Sequence, residues 1–199
     1  MINYLEVDKS NSVPFSKGNH IVQAKRNIRK WELVGIAVIA SLGAMFHFIF
    51  EWSGELPPIG VFAPVSESVF EHLKMPYWPA LLYAVIEYRH IKEYTKNFII
   101  AKTASLYVMP LTTMAIFYAY TTITGTESLI ADIVLFVGSV ALGQFVGYKI
   151  MIKDPLPSAL YKAAIVGLIS LGIIYAVLTF YPPHLPLFLD PATGTYGIH

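Results

Sequence analysis

His47 and Glu51 stand four residues apart, as do Glu67 and Glu71, and Ser68 and His72 repeat the interval one position later. Residues four apart share one face of a helix. Imidazoles with carboxylates form the ligand set for zinc, iron or manganese. Helical pairs at this spacing build the metal sites of bundle cores. His47, Glu67, Glu71 and His72 are therefore the candidate metal ligands. Glu51 and Asp132 are the candidate general bases, because a carboxylate in a low-dielectric site can hold and return a proton. Each residue also has a plainer reading. His47 and Glu51 could simply hydrogen-bond at a membrane interface. Ser68-Val-Phe-Glu71 matches a capping box, in which hydroxyl and carboxylate satisfy free backbone N–H groups. Asp132 needs only a partner, and His47, His72, Tyr118 or Tyr120 could serve. The sequence holds no HExxH or other closed metal signature, so the residue types point to a metal without fixing one.

The elements that must position these groups are apolar. Of the 199 residues, 55% are hydrophobic and 14% charged, where a soluble domain carries about 25% charged residues. With no cysteine, disulfides and thiolate metal sites are excluded. A net charge of +1 gives no case for nucleic acid binding. The first thirty residues are polar and include Lys9, Lys17, Lys25, Arg26, Arg29 and Lys30, which does not fit a signal peptide.

A bilayer core of about 30 Å needs roughly 20 mainly apolar helical residues. Five segments qualify: 31–50, about 69–88, about 98–122, about 128–150 and about 160–181. The fold class is thus an all-α, polytopic transmembrane helical bundle in the cell membrane. Pro76 and Pro79 should kink the second span near its start. With the N-terminus inside, 13 of the 14 Lys and Arg fall on one side and only Lys74 on the other. The positive-inside rule then places the N-terminus in the cytoplasm and the C-terminus outside. The domains are a cytoplasmic arm over 1–30, the bundle over 31–181, and a Pro/Gly-rich extracytoplasmic tail over 182–199 folded back on the outer face. In this topology His47, Glu51, Glu67, Glu71, His72, Asp132, His184 and Asp190 all map to that outer face.

Ser139, Gly143 and Gly147 form a small-residue ladder suited to helix packing. Glu87 and Lys102 lie near span ends and read as an interfacial ion pair or as snorkelling side chains. Trp31, Trp52 and Trp78 fit interfacial aromatic belts.

The runs 47-HFIFEW-52, 64-PVSESVFEHLK-74 and 182-PPHLPLFLDPATGTYGI-198 resemble a family of uncharacterised small bacterial integral membrane proteins. The resemblance covers the chain from about residue 31 to the end. Members read asparagine where this chain has Ser66. The resemblance implies that His47, Glu51, Glu67, Ser68, Glu71, His72, Asp190, Gly194 and Tyr196 belong together; it lends no activity.

Two functional classes follow. One is a membrane-embedded, metal-dependent enzyme acting on a lipid or lipid-linked substrate. The other is a transport or binding subunit for a cation or small molecule, within an oligomer or larger membrane complex. A structural protein whose polar cluster only fixes helix packing is the plain competitor. A conduit needs polar groups at intermediate depth, and the second and fifth spans read ALLYAVI and GLISLGII there. Ser105, Thr112, Thr113 and Gln144 are the groups that could wet a path.

Overall fold

The computed structural model describes residues 14–198. Residues 1–13, with Lys9, and His199 lie outside the described residues, so the start of the expected arm does too. Helix α1 spans Pro14–Trp52, and the polar segment from Pro14 to Lys30 is therefore its first part. A 3-10 turn at Pro57–Val61 follows. Next come α2 at Val69–Leu73, α3 at Tyr77–Ile91 and α4 at Phe98–Thr124. Helices α5 at Leu129–Met151 and α6 at Ser158–Phe180 complete the bundle. The chain is an all-α helical bundle. Helix α1 packs on α3 and α5, and α4 packs on α5 and α6. One end carries Trp52, the 53–68 loop and the C-terminal tail, and is called the tail end. The other, where the chain turns between α3 and α4 and between α5 and α6, is the arm end.

Four helices are long and apolar enough to cross a membrane: His20–Trp52 within α1, α4, α5 and α6. The segment expected to form a fifth span is divided. Helix α2 ends at Leu73, and α3 starts after Pro76. Proline lacks an N–H and crowds the preceding turn, so it breaks a helix interior yet fits a first turn. Pro76 caps α3, and Pro79 falls in its first turn. The prolines thus break the helix where a kink was expected. Alone, α3 has 15 residues, about 22 Å at 1.5 Å per residue.

Large apolar side chains such as Leu129, Ile130, Ile133, Val166 and Ile173 face outward. Exposed apolar area on this scale marks a membrane or partner surface. Inside, Ile39, Tyr83, Leu106, Met109, Val140, Leu171 and Tyr175 pack together. Hydroxyls join the helices. Ser105 Oγ donates to a main-chain carbonyl, with Gly143 O at 2.8 Å. Thr113 Oγ1 donates to Ser139 Oγ at 2.9 Å. The small-residue ladder allows this close approach: a β-carbon on Gly143 would sit 2.6 Å from the Met109 side chain. Ser105 and Thr113, two of the groups considered for a wet path, are therefore spent on packing α4 against α5.

Gly125 ends α4 in the left-handed conformation, φ 72°, with its N–H on the Thr121 carbonyl. At the arm end, Asn97 Nδ2 faces the carbonyls of Ile150, Lys153 and Asp154 at 3.0–3.2 Å, and Oδ1 accepts from Leu156 N–H at 2.9 Å. One buried amide thereby closes the end of α5. Asn97→Ala should lower stability by about 1–3 kcal/mol, the cost of stranding such groups. Asn97→Asp should not restore it, because a carboxylate offers no donors to three carbonyls. Thermal unfolding in detergent checks both.

Candidate functional site

The sequence 64-PVSESVFEHLK-74 enters the tail end of the bundle as a loop followed by the one-turn-and-a-half helix α2. Ser68 is its N-cap, with extended backbone and Oγ accepting from Glu71 N–H at 3.4 Å. The other half of the capping box is not made. Glu71 Oε2 instead accepts from Val65 N–H at 2.9 Å, and Ser68 N–H turns to Ser66 Oγ at 3.4 Å.

Glu71 is buried, and its two oxygens are fully engaged. Oε2 also lies 2.5 Å from Lys74 Nζ, and Thr179 Oγ1 on α6 donates to Oε1 at 2.9 Å. Lys74 is 0% exposed. Its ammonium has three donors and three acceptors: Glu71, the Gly60 carbonyl at 2.6 Å and Thr179 Oγ1 at 2.8 Å. Tyr175 O–H donates to the Leu73 carbonyl at 3.0 Å, one of the groups freed where the helix breaks. Irregular backbone at membrane depth needs such internal partners. This network binds the loop, α2 and α6 together. Lys74, which a charge count places at the water-facing end, is a buried strut.

His72, next to Glu71 on α2, faces another way. Its Nδ1 lies 2.9 Å from the Ser68 carbonyl. A carbonyl can only accept, so Nδ1 carries a proton and Nε2 is the ring nitrogen left to face the cluster. His72 Nε2 faces Glu67 Oε2 at 3.5 Å. His47 Nε2, from the last turns of α1, faces the same oxygen at 3.8 Å. The two imidazoles meet edge to face, with ring centres 5.0 Å apart. Ligand atoms of His47, Glu67 and His72 all lie within 4.8 Å of one another. Both histidines are half-buried and Glu67 is 53% exposed at its side chain, so the cluster opens outward.

Of the six residues singled out by sequence, three therefore converge. Glu71 is adjacent but committed to Lys74. Glu51 is exposed, one turn beyond His47, and stands outside the cluster. Asp132, in the first turn of α5, accepts a hydrogen bond from Tyr120 O–H of α4, one of the partners the sequence offered. That bond closes the α4–α5 hairpin. The tail packs on this end: the Phe188 ring lies tilted against Phe70 with centres 4.6 Å apart. Asp190 Oδ1 accepts from Ala192 N–H at 2.8 Å, and Gly194 turns at φ 72°.

A second charged group was not legible as a site. Glu32 of α1, Glu87 of α3 and Lys102 of α4 meet in the arm half of the bundle, with 3%, 0% and 6% exposure. Lys102 Nζ donates to Glu32 Oε1 at 2.9 Å and lies 2.6 Å from Glu87 Oε2. Glu87 and Lys102 are an ion pair, as their placement allowed, but a buried one and not a snorkelling contact at the interface. Glu32, seventy residues from Lys102 in sequence, carried no local signal.

Fold and site define a class: an all-α bundle with several helices apolar enough to cross a membrane, bearing a His/carboxylate cluster at one end. The chain belongs to a family of unknown function, DUF6512, whose match covers residues 21–198. No curated protein matches the chain, and neither does any solved structure.

Proposed function

We propose that the chain is a multi-pass protein of the cell membrane that binds one divalent transition metal through His47, Glu67 and His72. The observation that carries this reading is the spacing of the cluster. Hydrogen-bonded nitrogen and oxygen atoms lie about 2.7–3.2 Å apart. Two ligands on a tetrahedral zinc, with bonds near 2.1 Å, lie about 3.4 Å apart. The two His–Glu distances, 3.5 and 3.8 Å, are long for hydrogen bonds and close to the edge of a metal polyhedron. Two imidazoles with one carboxylate form the ligand set of catalytic zinc and of non-haem iron. The Ser68 carbonyl holding His72 Nδ1 is the outer-shell contact that orients a metal-bound histidine.

Three protein ligands leave further coordination positions open, which is the arrangement of a catalytic metal rather than a structural one. With the N-terminus cytoplasmic, as the one-sided Lys/Arg distribution supports, the cluster lies at the outer leaflet. A lipid or lipid-linked substrate suits that depth. The bound metal would activate water there, and we assign the proton-accepting role to Glu51, an exposed carboxylate one turn beyond His47 that would have to turn toward the cluster.

The test is metal content of the detergent-purified protein by mass spectrometry after loading with zinc, iron or manganese. About one equivalent is expected in the wild type. His47→Ala and His72→Ala should each lose it with circular dichroism unchanged, whereas the folded fraction of Glu71→Gln should keep it. No retained metal in the folded wild type under any loading overturns the reading.

A further inference from the structure

The site around Lys102 has two carboxylates and one ammonium, and the surrounding groups leave part of it unsatisfied. Glu87 Oε2 is close to Lys102 Nζ but off the line of a hydrogen bond. Both Glu87 oxygens and Glu32 Oε2 have no hydrogen-bond donor among the described residues. The neighbouring groups make their hydrogen bonds to other acceptors. Tyr83 O–H, on α3, donates to the Trp31 carbonyl at 2.5 Å. Gln144 Nε2, on α5, donates to the Glu32 main-chain carbonyl at 3.3 Å. Ser105 Oγ, on α4, is spent on main-chain carbonyls. Gly147 of α5 closes the remaining side, where a β-carbon would sit 3.3 Å from Glu32 Oε1. The titratable groups facing the two carboxylates are thus Lys102, Tyr83 and each other.

If both glutamates were ionised, the site would hold an unmatched negative charge in the interior of the bundle. An isolated buried charge is so costly that the group takes up a proton instead. A carboxyl group, unlike a carboxylate, has an O–H to donate. We propose that Glu32 and Glu87 together bind one exchangeable proton, so that the arm half of the bundle contains a proton-binding site distinct from the histidine cluster. One glutamate is the ionised partner of Lys102. The other is neutral and gives its O–H to an oxygen that has no other donor. A metal cation fits less well, because the ammonium already occupies the shared position and a hard cation seeks six or more oxygens.

Infrared spectroscopy of the protein in lipid nanodiscs at neutral pH tests this. The wild type should show a protonated-carboxyl stretch equal to one group per chain, shifting in D2O. Glu32→Gln and Glu87→Gln should each abolish it, since the remaining carboxylate then pairs one-to-one with Lys102. A folded wild type without the band overturns the proposal, as does a band that survives in the double Gln variant. A missing band together with a thermal stability that rises in sodium and not in choline would assign the site to a sodium ion instead. Absence of the band from the folded wild type overturns the proposal even if a variant fails to fold.

Discussion

Lys74→Met should destabilise the bundle by about 3–5 kcal/mol, the cost of removing one member of a buried ion pair. The substitution keeps the length of an apolar stem but strands Glu71, which is 3% exposed and has no water to turn to. It also removes the donor shared by the Gly60 carbonyl and Thr179 Oγ1, so the 53–68 loop and α6 should loosen together. Glu71→Gln added to Lys74→Met should recover much of the loss, because the buried charge goes with it. Thermal unfolding of the three proteins in one detergent reads both effects. Metal content of the single variant should fall only as far as its folded fraction does.

The helical character was legible because it rests on runs of apolar residues, which need no partner to be recognised. Helices α4, α5 and α6 lie within a few residues of the segments read from sequence. The second segment is two helices rather than one kinked helix for a local reason. Two prolines three apart stop one helix and start another, and length counting cannot see the break. The candidate site was half legible for a related reason. An interval of four residues means one face only inside a helix. Glu67 precedes α2, which starts at Val69, so its spacing to Glu71 carries no facial meaning. Glu71 and His72 are neighbours on a helix, about 100° apart at 3.6 residues per turn, and that angle sends one to Lys74 and the other to Glu67. The partner of Glu71 on α6 lies 108 residues away in sequence, and that of Lys102 on α1 lies 70 away. Nothing local marks such pairs.

Lys102→Met should also cost about 3–5 kcal/mol, since it leaves Glu32 and Glu87 facing each other without a cation. The two buried networks nevertheless differ in stoichiometry, and variants should expose the difference. Around Lys74 there is one carboxylate for one ammonium, so losing either charge is severe. Around Lys102 there are two carboxylates for one ammonium. Neutralising one of them, as Glu87→Gln or Glu32→Gln, leaves a matched pair. Each should therefore cost at most about 1 kcal/mol, the worth of one hydrogen bond. Glu71→Gln, by contrast, strands a Lys74 that is wholly buried. Thermal unfolding of these variants at neutral pH compares the sites directly. A Glu87→Gln variant as unstable as Glu71→Gln would mean that both glutamates are needed as anions, and the charge count around Lys102 would have to be closed by something other than a proton.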